Sequence, residues 1–144
     1  MVSAMLERGH LLVAAVGNDG PAAAPLYPAS YAGMIGVSAV DQEGRSLPEA
    51  ARGAQVMFAA PGSNMVSAAI GTPPYRQVRG TSFAAPIVAA LLAGMHTHPD
   101  KAGAKKAVAL LARQANHIDA TRRNDDIGYG VVGASYRSDP QRFR

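Results

Sequence analysis

Apolar residues fall into runs whose length and period separate strands from helices. Residues 11–16 (LLVAAV) are continuously apolar and stop at Gly17-Asn18-Asp19-Gly20. Residues 34–40 (MIGVSAV) and 56–59 (VMFA) repeat the pattern, the last closed by Ala60-Pro61-Gly62. Short uninterrupted runs bounded by turn residues are expected of strands buried on both faces of a parallel sheet. Residues 82–95 are apolar for about four turns, and 102–114 set Ala, Val and Leu among Lys and Arg at helical spacing; both predict helices. Residues 1–8 read as the end of an amphipathic helix, with Gly9 as its stop. Residues 67–70 and 75–79 read as a hairpin across the Gly/Pro-rich 71–74. The stretches 20–28 and 41–53 read as loops, and 124–133 as an irregular closing segment with one short strand.

Buried strands alternating with helices predict an α/β class with a parallel sheet. Three strands make a thin sheet, and such sheets need both faces covered. The order also opens mid-pattern, with a helix feeding the first strand. The expectation is therefore the latter part of a larger domain over residues 1–135, followed by a basic tail over 136–144. Composition agrees with a packed core: 48% of the residues are hydrophobic and 17% charged, outside the range of disordered chains.

Charge is uneven. Residues 1–100 hold five arginines against six acidic residues, and 101–144 hold nine Lys+Arg against four aspartates. The basic residues are scattered, without aromatic interleaving or zinc-finger spacing, so no nucleic-acid partner is expected. The absence of cysteine excludes disulfides, thiolate metal sites and a cysteine nucleophile. No cofactor or metal is expected, since no Asp/Glu cluster has calcium-ligand spacing. The first apolar run is too short for a signal peptide and follows Glu7, and no run reaches membrane-spanning length. The compartment stays open, and no membrane partner is expected.

The candidate chemistry lies in GTSFAAP, residues 80–86. Proline is tolerated in a helix's first turn, where N–H groups lack intrahelical partners. Pro86 therefore predicts that Ser82 sits at or just before the first helical residue. A serine there offers a hydroxyl and a backbone donor at the positive end of the helix dipole. Acyl transfer needs that pairing of nucleophile and oxyanion donor. Thr81-Ser82 alone reads as an ordinary N-cap. Asn18 alone fits a strand-ending turn.

The wider pattern resembles the subtilisin-like serine proteases. Gly80, Thr81, Ser82, Ala84 and Pro86 match the family's Gly-Thr-Ser-x-Ala-x-Pro nucleophile motif. LLVAAVGNDG (11–20) resembles the strand and turn that carry its oxyanion-hole asparagine, and YPASYAGMIGVSAVD (27–41) its Tyr-Pro segment. Ala60-Pro61-Gly62 and Gly128-Tyr129-Gly130 fit too. The resemblance implies Ser82 as nucleophile and Asn18 as oxyanion donor. It also implies a substrate site lined by Ala15, Val16, Gly17, Leu26, Gly80 and Thr81, with a peptide or protein as partner. Leu26 falls where the family places a pocket-floor residue, which implies a shallow pocket for small or medium apolar side chains; a reshaped 20–25 loop would instead seat Leu26 elsewhere.

A neutral serine needs a base. The family's Asp and His motifs precede the oxyanion-hole asparagine, and residues 1–17 hold neither. His10, His96, His98 and His117 stand outside any such motif, and Lys101, Lys105 and Lys106 lie beyond the Ser82 helix. An upstream segment supplying Asp and His is the expected partner. A base-less relic that only binds peptides or another chain is the alternative. A nucleotide-binding domain, suggested by Gly17–Gly20 after a strand, lacks both phosphate-loop patterns.

Overall fold

A computed structural model describes residues 1–117 and 123–143. Helix α1 (Val2–Glu7) leads to strand β1 (Val13–Ala15), β2 (Ile35–Val40) and β3 (Val56–Pro61). The hairpin β4 (Met65–Ala68) and β5 (Tyr75–Val78) follows, then α2 (Thr81–Met95) and α3 (Lys101–Gln114). Two 3₁₀ turns, Ala134–Tyr136 and Pro140–Phe143, end the described chain. Strands β1, β2 and β3 form a parallel sheet in that order, with Val13 opposite Ile35 and Val37 opposite Phe58. The α/β class and parallel sheet read from the sequence are what the chain forms.

Side chains alternate across this sheet as the two-residue strand period requires. Ile35, Val37, Ala39, Phe58 and Ala60 face one side, where Ala84, Val88 and Leu92 of α2 and Ala107 and Leu111 of α3 complete the main core. On the other side, Val16 and Val56 pack on Ala29 and Ala51, and Val40 and Ala59 on Ile127 and Val131. Helix α2 crosses all three strands, and so ties its first turn to their C-terminal ends. Asp100 caps α3, accepting from Ala102 N at 3.4 Å and Gly103 N at 2.5 Å.

Several expectations change in detail. The run 11–16 yields only three strand residues, all half-buried, whereas β2 is buried throughout. Only β2 pairs with β1 among the described residues, so β1 is an edge strand rather than a doubly buried one. Strand β3 runs two residues past the expected 56–59, to Pro61. The hairpin is shifted: Met65 pairs with Val78 and Ala68 with Tyr75, leaving Ile70 in the fully exposed turn. Helix α2 starts at Thr81, which puts Pro86 in the second turn instead of the first. Its missing N–H leaves the Ser82 carbonyl without its i+4 donor. The short strand expected within 124–133 is a set of isolated bridges. Tyr129 N donates to Met57 O at 2.7 Å and Val132 N to Ala59 O at 2.8 Å, which lays this segment along the edge of β3.

Candidate active site

The site begins with a backbone conformation that only glycine accepts easily. Gly80 has φ 129°, and its N–H donates to Gly62 O at 2.7 Å. A Cβ on Gly62 would come within 2.5 Å of the Ala39 Cβ, so the end of β3 and the approach to α2 meet with no room between them. Ala60-Pro61-Gly62, read in the sequence only as a supporting block, is thus the seat on which the serine segment rests.

Gly80 is the N-cap of α2 and has no side chain to cap it. Asn18 does so from the turn that follows β1. Its Oδ1 accepts from Thr81 N–H at 2.9 Å. A Cβ on Gly80 would lie 3.3–3.5 Å from the Asn18 carboxamide, so the amide lies flat over the glycine. With Oδ1 committed to the helix, the Nδ2 donor faces away from that bond. Ser82, the second helical residue, is solvent-exposed, as is Asn18. No acidic residue occupies the first turn of α2 to offset the positive end of its dipole. Ser82 thus directly follows the residue whose N–H Asn18 caps, at an exposed helix terminus.

Of the residues expected to line a substrate site, Gly17, Gly80 and Thr81 share this corner with Asn18. Leu26 joins them: its Cδ1 lies 2.7 Å from where a Gly17 Cβ would stand, and it is 40% exposed. Ala15 is half-buried and ends β1. Val16 is fully buried against Ala29, Ala51 and Val56, so only its backbone borders the corner. The Thr81 side chain is also fully buried, and its hydroxyl finds no partner among the described residues.

The histidines lie elsewhere. His96 follows the last residue of α2 and its Nε2 donates to Gly9 O at 2.8 Å. Fourteen residues of helix place it about 20 Å from Ser82 at 1.5 Å per residue. His98 pairs with Thr97 Oγ1, and His10 borders a groove of about 940 Å³ between α1 and α3 with Lys101 and Lys105. His117 is exposed beyond α3. Among the described residues, no side chain hydrogen-bonds the Ser82 hydroxyl, no group of three or more His, Cys, Asp or Glu could hold a metal ion, and no helix is long and apolar enough to cross a membrane.

One feature beside the site left no trace in the local sequence pattern. Arg79 meets Glu49, thirty residues away, through Nε–Oε1 at 2.5 Å and Nη2–Oε2 at 3.0 Å. The Arg79 guanidinium holds the Glu49 carboxyl below its ordinary range.

A parallel sheet crossed by a helix that starts at this serine corner is the fold of the subtilisin-like proteins. Residues 1–130 match the model of the subtilase family, peptidase S8, and the chain belongs to that family. It is 30% identical over 131 residues to the minor extracellular protease Epr of Bacillus subtilis, covering 91% of this chain and 20% of Epr. It is 41% identical over 88 residues to subtilisin BL of Lederbergia lenta, covering 61% of this chain and 32% of that protein. Among solved structures, the prenylagaramide maturation protease PagA superposes with a TM-score of 0.75 at 25% identity, over 93% of this chain and 51% of PagA. The PatG macrocyclase in complex with peptide shares the fold with a TM-score of 0.77 at 20% identity, over 93% of this chain and 44% of PatG. The chain thus spans about half the length of these solved structures and a fifth to a third of these two curated relatives.

Proposed function

We propose that this chain supplies the nucleophile and oxyanion hole of a subtilisin-like serine endopeptidase. Ser82 Oγ attacks a peptide carbonyl carbon, and the carbonyl oxygen becomes the oxyanion. The Asn18 Nδ2–H and the Ser82 backbone N–H receive that charge, at the positive end of α2. A histidine accepts the serine proton and passes it to the leaving amine, and an aspartate orients the histidine. Water then releases the acyl group from Ser82. The histidine and aspartate come from sequence outside these 144 residues. The open edge of β1 and the exposed Pro86, Ala90 and Ala93 of α2 suit such a segment. The peptide runs past Ala15–Gly17, and Leu26 over Gly17 keeps the pocket shallow.

The Asn18–Thr81 bond carries this reading. An ordinary N-cap is local, whereas this one spans 63 residues and brings the asparagine carboxamide to the serine helix. A fluorophosphonate probe tests it: Ser82 labels when an upstream Asp/His segment is supplied, and Ser82→Ala abolishes labelling. No labelling in the reconstituted pair rejects it. A second reading, a base-less module that binds peptides, is favoured by His96, which stands at the far end of the Ser82 helix, about 20 Å away. It predicts peptide binding without labelling in that same pair.

A further inference from the structure

Arg79 and Glu49 join the two arms of the corner. Arg79 lies between β5 and Gly80, two residues before Thr81 and three before Ser82. Glu49 belongs to the segment that holds the Asn18 turn at both ends: Gly20 N donates to Glu49 O at 2.9 Å, and Ala51 N to Gly17 O at 3.0 Å. The chain thus closes a ring. It runs from Asn18 through the Thr81 N–H to Arg79, across the ion pair to Glu49, and back through Gly17 and Gly20 to Asn18. Every other join in that ring uses the backbone or the Asn18 carboxamide. An exposed ion pair is ordinarily worth little, and this one is only partly covered, with side chains 52% and 31% exposed. Its two parallel N–H···O bonds, however, fix orientation as well as distance. Asp41, itself paired to Arg45 at 3.0 Å, adds negative field on Arg79 from the end of β2.

We infer that the Arg79–Glu49 pair is a positioning clasp that sets the spacing between the Asn18 turn and the start of α2. Its catalytic meaning rests on the protease reading, but the clasp itself can be measured without catalysis. In the 144-residue chain, amide exchange at Thr81 reports how often the Asn18–Thr81 bond opens. Glu49→Gln and Arg79→Met each raise that rate about three- to fivefold, the size of one well-formed exposed ion pair. Exchange at Val88, deep in α2, stays within about twofold of the parent, since the pair does not touch the helix interior. The charge-reversed double variant, Glu49→Arg with Arg79→Glu, recovers at least half of the lost protection.

Unchanged exchange at Thr81 in both single variants overturns the clasp, as does an equal rise at Val88, which marks general destabilisation. If Glu49→Gln does not fold, Arg79→Lys decides the same question: it keeps the charge but not the fork, and must still loosen Thr81. With an upstream segment supplied, the rate of Ser82 labelling falls by the same factor. If the parent itself never labels, the protease reading fails while the exchange result stands.

Discussion

At the scale of residues, Asn18 caps α2 and is proposed as the oxyanion donor, and one substitution separates these two roles. Asn18→Asp keeps an oxygen for Thr81 N–H, and a carboxylate is favoured at a helix N-terminus, but it removes the Nδ2–H donor. Thermal stability should hold or rise while labelling of Ser82 in the reconstituted pair falls by about 10²–10³, a magnitude measured on subtilisin's own oxyanion-hole asparagine and carried over to Asn18. Asn18→Ala loses both roles and should also cost roughly 1 kcal/mol of stability. Leu26 gives a second test. Leu26→Ala uncovers Gly17 and should shift a peptide-library profile toward larger residues before the scissile bond. An unchanged profile, or cleavage after large aromatics by the parent, removes the shallow-pocket idea. The clasp adds a pH dependence. The hydrogen bond from Arg79 lowers the Glu49 pKa below its ordinary 4.5. A depressed folded value means the contribution is complete above 4.5 and is lost as pH falls through that lowered value. The exchange difference at Thr81 between parent and Glu49→Gln should therefore be flat from neutrality down to 4.5 and vanish below it.

At the scale of elements, helix α2 is both mount and core. Leu92 is 1% exposed and packs with Val37 and Phe58 in the main core. Leu92→Ala should cost about 2–5 kcal/mol, read as a shift in denaturant midpoint, and should loosen Ser82 only through the whole helix. This element was plain in the sequence, because fifteen nearly continuous apolar residues have few other fates. Strands β2 and β3 were plain for the same reason. The limits of β1 were not, since a run of apolar residues does not say how many neighbours the strand will have. Pro86 misled by one turn: the rule for first-turn proline ignores a carbonyl left free at Ser82. The serine corner was legible as a motif, but its geometry was not. The bonds from Asn18 to Thr81 and from Glu49 to Arg79 span 63 and 30 residues, and a local pattern cannot encode a distance across the fold.

At the scale of the molecule, β1 has no strand on its outer edge among the described residues. Ile35 N donates to Leu12 O at 2.8 Å and Val16 N to Val37 O at 3.1 Å, so the even-numbered residues of this strand reach β2. By the two-residue period, the N–H and C=O groups of Val13 and Ala15 face the other edge. Unpaired strand edges recruit other chains, and the exposed Pro86–Ala90–Ala93 stripe of α2 lies on a helix that also packs on β1. The chain alone should therefore show fast amide exchange at Val13 and Ala15, slow exchange across β2, and concentration-dependent association in sedimentation. Supplying an upstream segment that completes the sheet should slow Val13 and Ala15 together and abolish the association, in step with Ser82 labelling. Labelling that appears while these two amides still exchange freely would place the incoming histidine on some other surface and refute docking at the β1 edge.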